Sequence, residues 1–112
     1  MTIVETQHAA YTSLRPIGEL DASSSIYMDE KIGNMIPDGR VNIHIDCSDL
    51  TYISSAGLGV FISYLDDIQK LKGKLVFSDM RETVRDVFDL LGLTTLVPIV
   101  NTQTEAAHLF TT

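Results

Sequence analysis

The amino-acid sequence predicts an α/β fold in which a mixed, mainly parallel β-sheet of four to five strands is covered by about four helices. Strand-like segments alternate with helix-like segments along most of the chain. Gly, Pro or Asp residues mark many of the breaks between these segments. The 112 residues match the length of one domain and suffice to bury a core, so we expect residues 1–112 to form a single domain.

Two strands and a helix are predicted in the first third of the chain. Residues 3–7 and 11–17 have the mixed apolar and polar pattern of strands, with a weak turn between them. Asp21 is suited to cap a helix, and Pro37-Asp38-Gly39 is a turn signal. A helix fits between them, with Ile26 and Ile32 among its apolar positions.

The middle of the chain predicts a strand followed by a long helix. "VNIHID", residues 41–46, alternates apolar and polar residues, which is typical of a strand with one buried face. After a short loop, apolar residues recur at helical spacing: Leu58, Phe61, Ile62, Leu65, Ile68 and Leu71. Gly73 is predicted to end this helix at the position after its C-cap.

The last third predicts a strand, a helix, an extended segment and a final helix. Residues 74–80 have the pattern of a strand, and residues 81–92 that of a helix ended by Gly92. Residues 94–100 favour extended backbone, but Pro98 cannot donate to a sheet, which places this segment at an edge or a strand end. Thr102 and Glu105 have the spacing of a capping box before the final helix.

Composition and charge narrow the class of protein. A net charge of −7 opposes binding to nucleic acid or to an anionic membrane surface, because both are negative and favour clusters of Lys and Arg. No apolar run approaches the roughly 20 residues of a membrane span, and residues 1–14 lack a secretory signal pattern. Cys47 is the one cysteine, in agreement with a reducing compartment. We expect a cytoplasmic protein whose partners are proteins or small molecules.

The sequence argues against catalysis and against a bound metal or cofactor. A nucleophile elbow has glycine two residues before its serine, but Tyr52 and Ile53 stand two residues before Ser54 and Ser55. Cys47 and the three histidines lack partners at the spacing of metal ligands. The Gly-Leu-Gly of residues 57–59 lacks the rest of a dinucleotide or phosphate-binding motif. We therefore predict a protein that is not an enzyme.

Two adjacent serines before the long helix are the remaining candidates for function. Either serine can cap the helix, a role worth about 1 kcal/mol. Small residues follow them and leave the first turn bare for another protein to approach: Ala56, Gly57 and Gly59. A phosphate at this helix start gains from the helix dipole and from free N–H groups, so modification would change binding without unfolding the domain.

Three stretches in this order and spacing resemble one known family. They are "GELD" (residues 18–21), "VNIHIDCSDLTYISSAGLGVF" (residues 41–61) and "DMRETVRDVFDLLGL" (residues 79–93). Over nearly its whole length the chain resembles small STAS domains of the anti-sigma-factor antagonist type. These are the phosphorylatable binding proteins of bacterial partner-switching systems.

The resemblance implies a role for each residue at the helix start. The family's phosphorylated serine corresponds to Ser55. Ser54 stands where the best-known members have aspartate, and Ala56 where they have serine or threonine. Unphosphorylated members bind a serine kinase that often doubles as the anti-sigma factor and free its other client, and a serine phosphatase resets phosphorylated ones. The expected partner-binding surface comprises Asp21, Ser54, Ala56, Gly57, Leu58 and Gly59.

Two other functions stay open at this point. A STAS subunit of a transport or lipid-trafficking complex would use the same helix face as a constitutive contact and would not be phosphorylated. A ligand-binding α/β domain serving a sensor would retain a small molecule instead.

Overall fold

The computed structural model describes residues 1–111 and confirms the predicted α/β alternation. In chain order the elements are β1 (Thr2–Gln7), β2 (Thr12–Leu20), α1 (Ser25–Met35), β3 (Asn42–Asp46), β4 (Leu50–Ile53), α2 (Ser55–Lys70), β5 (Lys74–Ser78), α3 (Glu82–Leu90), β6 (Ile99–Val100) and α4 (Gln103–Thr111). A short 3₁₀ helix, Leu93–Thr95, lies between α3 and β6.

The sheet is mixed and mainly parallel, as predicted. Its strand order is β1-β2-β3-β5-β6, with β1 antiparallel to β2 and the other pairs parallel. The two-residue strand β6 directly follows Pro98 at one edge of the sheet, which confirms the expected position of the proline-containing segment. The missing N–H of Pro98 is tolerated there, while its carbonyl accepts a hydrogen bond from the backbone of Phe77 at 3.0 Å.

Strand β4 makes the sheet one strand larger than the sequence predicted. The expected short loop after β3 contains Leu50–Ile53, which pairs in parallel with the second half of β2. The pairing requires a register shift in β2 between Gly18 and Glu19, and Gly18 has a φ of +104° that other residues rarely adopt. The glycine of the "GELD" stretch thus lets β2 pair with both β3 and β4.

The two faces of the sheet are covered unequally. Ile43 and Ile45 of β3 join the apolar core with residues of α1, α2 and α3. Phe77 of β5 lies in the same core, with ring centroids 5.0 Å from Phe61 and 5.2 Å from Phe88. Side chains alternate along a strand, so His44 and Asp46 face the other side, where Gln103 of α4 donates to Asp46 at 2.8 Å. The apolar core therefore lies on the face of the sheet that α1, α2 and α3 cover.

Three predictions about the helices have different outcomes. Gly92 has a φ of +71° directly after the C-cap of α3, as predicted. The prediction for Gly73 is wrong, because Lys72 takes the left-handed position with a φ of +63°. Gly73 is needed for another reason: a Cβ on it would lie 2.1 Å from the carbonyl oxygen of Val41. Ile26, expected on the apolar face of α1, is 54% exposed, and Met28 is buried there.

Within residues 1–111, no helix is both long and apolar enough to span a membrane.

Candidate functional site

The candidate site lies where the parallel strands β2 and β4 end side by side. Leu20 pairs with Ile53 in the register of these strands, and the backbone N–H of Ser54 donates to the carbonyl of Leu20 at 2.9 Å. Asp21 and Ser54 each follow directly after this pair. The fold therefore brings together two residues that are 33 positions apart, at the point where α2 begins.

Ser54 is the N-cap of α2. Its backbone is extended, with φ −95° and ψ 173°, and its side chain accepts a hydrogen bond from the N–H of Gly57 at 3.2 Å. Its carbonyl accepts the N–H of Leu58 at 3.0 Å and so starts the helical hydrogen-bond series. The Ser54 hydroxyl is half-buried and occupied by capping.

Ser55 differs from Ser54 in its position, its exposure and the bonding of its side chain. It is the first residue of α2, and its side chain is exposed. Within residues 1–111 its hydroxyl has no hydrogen-bond partner. Of the two serines, Ser55 is the one whose hydroxyl another protein can reach without first breaking a cap.

The two glycines of the first turns have different structural roles. A Cβ on Gly57 would lie 2.7 Å from the carbonyl oxygen of Leu20 and 3.1 Å from a side-chain carbon of Ile53. Gly57 thus permits the close approach of α2 to the ends of β2 and β4. A Cβ on Gly59 would meet open space, and Gly59 is exposed. The packing of this domain gives no reason for a glycine at position 59.

Two of the predicted partner-binding residues are buried. Leu58 is 1% exposed and belongs to the apolar core, so its side chain cannot lie on a docking surface. Gly57 is also buried beneath the start of α2. The exposed or half-buried members of the predicted surface are Asp21, Ser54, Ala56 and Gly59, which lie around the predicted phosphorylation site Ser55.

Asp21 holds the turn that leads into α1. One of its carboxylate oxygens accepts hydrogen bonds from the backbone N–H of Ser24 and of Ser23, each at 3.0 Å, and from the hydroxyl of Ser23 at 2.8 Å. These bonds, led by the one from the Ser24 backbone, lower the pKa of Asp21 below its ordinary value. Asp21 is thus ionised at neutral pH and held in the turn that directly follows Leu20, whose carbonyl accepts the N–H of Ser54.

A shallow groove next to Ser55 was not predicted from the sequence. It runs between α1 and α2 and is lined by Ser25, Ile26, Asp29, Ala56, Gly59, Val60 and Ser63. Gly59 and Ala56 form its bare wall on α2, and the exposed Ile26 lies on the opposite wall. Ile26 was expected on the apolar face of α1, but it stands six residues before Ile32, which is not a helical repeat and could have indicated its exposure.

A buried polar network lies away from this site, on the α4 side of the sheet. The ring nitrogens of His44 lie 2.8 Å from the hydroxyl of Ser13 and 2.6 Å from that of Ser78. The hydroxyl of Ser78 also donates to Asp79 at 2.7 Å. Ser78 is fully buried, so it cannot act as a nucleophile toward a substrate in solution. The arrangement satisfies the hydrogen bonding of these buried polar groups.

Metal binding and thiol chemistry find no support in the described residues. Within residues 1–111 no three His, Cys, Asp or Glu side chains cluster closely enough to hold a metal ion. Cys47 is buried, and this burial raises the pKa of its thiol, so the reactive thiolate is disfavoured.

Comparison with known proteins identifies the family. The model of the STAS domain matches residues 2–106, and the chain belongs to the STAS domain family. The anti-sigma-B factor antagonist of Bacillus subtilis is 30% identical over 82 residues, which cover 73% of this chain and 74% of that protein. The anti-sigma-B factor antagonist of Staphylococcus epidermidis is 27% identical over 99 residues, which cover 88% of this chain and 92% of that protein. Within the STAS domains, this chain is a member of the anti-sigma-factor antagonist family.

Solved structures show the same fold. An anti-sigma factor antagonist from Mycobacterium paratuberculosis matches with a TM-score of 0.87 at 20% identity, covering 99% of this chain and 94% of that one. The Bacillus cell fate determinant SpoIIAA, in its phosphorylated form, matches with a TM-score of 0.75 at 22% identity. That match covers 96% of this chain and 97% of SpoIIAA.

Proposed function

We propose that this chain is a cytoplasmic anti-sigma-factor antagonist whose binding is controlled by phosphorylation of Ser55. In its unphosphorylated form it binds a serine kinase that also acts as an anti-sigma factor, and the client of that kinase is released. Phosphorylation of Ser55 by the kinase ends the interaction, and a serine phosphatase restores it. The protein performs no catalysis itself.

The observation that carries this proposal is the division of roles between the two serines. Ser54 is occupied as the helix cap, whereas Ser55 is exposed one residue later and its hydroxyl has no hydrogen-bond partner in the described part of the chain. The small residues Ala56 and Gly59 leave the surface beside Ser55 open, so a kinase active site can approach it. The position also matches that of the acceptor serine in the family that this chain resembles.

The local charges support a change in binding after phosphorylation. A phosphate on Ser55 adds about −1.5 to −2 charges next to the ionised Asp21, in a chain of net charge −7. The first turn of α2 offers backbone N–H groups and the positive end of the helix dipole, so the phosphate does not destabilise its own helix. The added charge acts instead on the partner that must cover it.

The size of the required effect restricts where the partner binds. Moving binding from nearly complete to nearly absent takes about 5.5 kcal/mol of differential affinity. An exposed charge outside the interface contributes only about 0–1 kcal/mol. The kinase must therefore cover Ser55 itself, together with Asp21 and the groove between α1 and α2.

The test combines phosphopeptide analysis with binding measurements. We expect mass spectrometry of the protein from its own cells to find phosphate on Ser55 in a fraction of molecules and none on Ser54. The Ser55→Ala variant should retain the kinase partner in affinity capture, and Ser55→Asp should lose it. Thr104→Asp is the matched control, because Thr104 is exposed on α4, on the opposite face of the sheet from α2.

Two outcomes would contradict the proposal. If Ser55→Ala and Ser55→Asp bind the kinase equally well, phosphorylation at this residue does not control binding. If no growth condition yields phosphate on Ser55, the alternative is a constitutive STAS subunit of a transport or lipid-trafficking complex. Stoichiometric co-purification with an ATPase subunit would then identify that complex.

A further inference from the structure

Strand β1 forms an open edge of the sheet and lies away from the proposed kinase-binding surface. It is six residues long and pairs with β2 along its whole length. The other edge is formed by β6, which has two residues. An edge strand presents a row of N–H and C=O groups that can bind another strand. Within residues 1–111, β1 offers the longer of these two rows.

The sequence of β1 lacks the usual protection of an edge strand. "TIVETQ" contains no proline, lysine or arginine, and four of its six residues are β-branched. Its one charged residue, Glu5, is bound to its own domain by Lys31 at 3.3 Å and Arg40 at 3.0 Å. The charge of Glu5 is therefore compensated and does not repel an incoming strand.

We propose that β1 pairs antiparallel with β1 of a second copy of this chain, so that two sheets become continuous across a twofold axis. Identical antiparallel strands offer each other matching donors and acceptors, which is the self-complementarity that a twofold dimer needs. A register with Val4 on the axis places Ile3 opposite the partner's Glu5. Like charges meet only in the register that aligns Glu5 with the partner's Glu5.

The distribution of charge favours a second copy at this edge. The chain as a whole has a net charge of −7, which opposes self-association at most surfaces. Three of its eight basic residues lie beside β1, however: Lys31 and Arg40 at Glu5, and Arg15 in register with Val4. Arg15 is paired with Asp49, and Arg40 also lies 3.8 Å from Asp38, so these ion pairs leave little net charge beside the strand. The repulsion between two copies is therefore reduced where their β1 strands meet.

The small size of the contact predicts a weak dimer. Six paired residues at an edge bury less than the roughly 1,200 Å² of a stable interface. Exposed apolar side chains next to β1 add to this area: Tyr27 of α1 is 52% exposed, and Ile17 of β2 lies opposite Thr2 and is exposed. The dimer should therefore form at high protein concentration and dissociate on dilution.

Sedimentation equilibrium of the full chain over about three decades of concentration tests the proposal. We expect the apparent mass to rise from 12.4 kDa toward twice that value. Val4→Lys should weaken association at least tenfold, because lysine blocks edge pairing, and Val4 lies outside the apolar core, so the fold should survive. Ile62→Lys on α2 makes the same charge change at an exposed apolar residue far from β1, and it should associate like the wild type.

Hydrogen exchange on the same samples locates the contact. The amides of β1 should become more protected as concentration rises, while those of β6 should not change. A monomer at every concentration would overturn the proposal. So would association that Val4→Lys leaves intact, because the copies would then meet at another surface. These readouts require no kinase, so their outcome is independent of the proposed function.

Discussion

The hydroxyl oxygen of Ser54 accepts the backbone N–H of Gly57 at 3.2 Å, and this hydrogen bond separates the roles of two adjacent serines. Ser54 stabilises the helix and Ser55 does not, although both are serines at the same helix start. The difference can be measured without any knowledge of the partner.

Ser54→Ala should lower the free energy of unfolding by about 1 kcal/mol, because the N–H of Gly57 loses its cap. Ser55→Ala should change it by less than about 0.5 kcal/mol, since the side chain removed is exposed and makes no hydrogen bond to residues 1–111. Chemical denaturation of the two variants beside the wild type provides the measurement. Equal destabilisation by both substitutions would mean that Ser55 also contributes to the cap.

The glycines at positions 57 and 59 should respond oppositely to alanine. Gly57→Ala places a Cβ 2.7 Å from the carbonyl oxygen of Leu20, and overpacking of this kind costs about 1–3 kcal/mol. Gly59→Ala meets open space and should gain up to about 1 kcal/mol of helix stability. Thermal unfolding of both variants shows whether each substitution raises or lowers the stability of the protein.

The same Gly59→Ala variant also tests why the glycine is present. If the bare surface serves docking, the variant should be more stable than the wild type and yet bind the kinase partner more weakly. A stabilised variant with full binding would remove Gly59 from the proposed interface.

The end of α2 offers a second contrasting pair. Lys72 occupies a left-handed conformation and its N–H donates to the carbonyl of Gln69 at 3.0 Å, while the N–H of Gly73 donates to that of Ile68 at 2.8 Å. Lys72→Gly should stabilise the protein by about 0.5–1 kcal/mol, because it relieves the strain of a left-handed lysine. Gly73→Ala should destabilise it by about 3 kcal/mol or more, because its Cβ would collide with backbone at Val41. Urea titration compares the two, and a tolerated Gly73→Ala would contradict this packing.

His44 should make stability depend on pH near neutrality. Burial lowers its pKa below the ordinary value of 6.5, against the opposing charges of Asp46 and Asp79. Below pH 6.5, His44 is therefore protonated in the unfolded chain but stays largely neutral in the folded chain until the pH falls further. The free energy of unfolding should fall as pH decreases from about 7 to 5, with a slope of at most about 1.4 kcal/mol per pH unit.

Two variants separate His44 from the other histidines. His44→Asn should flatten the pH dependence between pH 5 and 7, whatever its effect on overall stability. His108→Asn is the matched control, because it makes the same substitution at an exposed histidine of α4 and leaves the buried hydrogen bonds of His44 in place. If the free energy of unfolding of His44→Asn depends on pH as steeply as that of the wild type, His44 is not the source of the pH dependence.

The sequence by itself determined the family and the alternation of strands and helices, with the exception of β4. Alternating residues such as Ile43 and Ile45, and the helical spacing of Leu58, Phe61 and Ile68, report on which face of an element is apolar. That information is local, so the strands, helices and parallel sheet could be predicted from it. The motif around Ser55 then indicated the family.

Only the tertiary structure decided the roles within the site, because they depend on contacts between residues distant in sequence. Gly57 and Gly59 look alike in the sequence, and the difference arises where α2 packs against Leu20. Strand β4 was missed for the same reason, since its four residues become a strand by pairing with β2. From its position at the start of α2, Leu58 was predicted to contact a partner, but packing against the sheet buries its side chain in the core. The long-range hydrogen bond from the N–H of Ser54 to Leu20 fixes Ser54 at the N-cap, and Ser55 is left exposed with a hydroxyl that has no partner within residues 1–111.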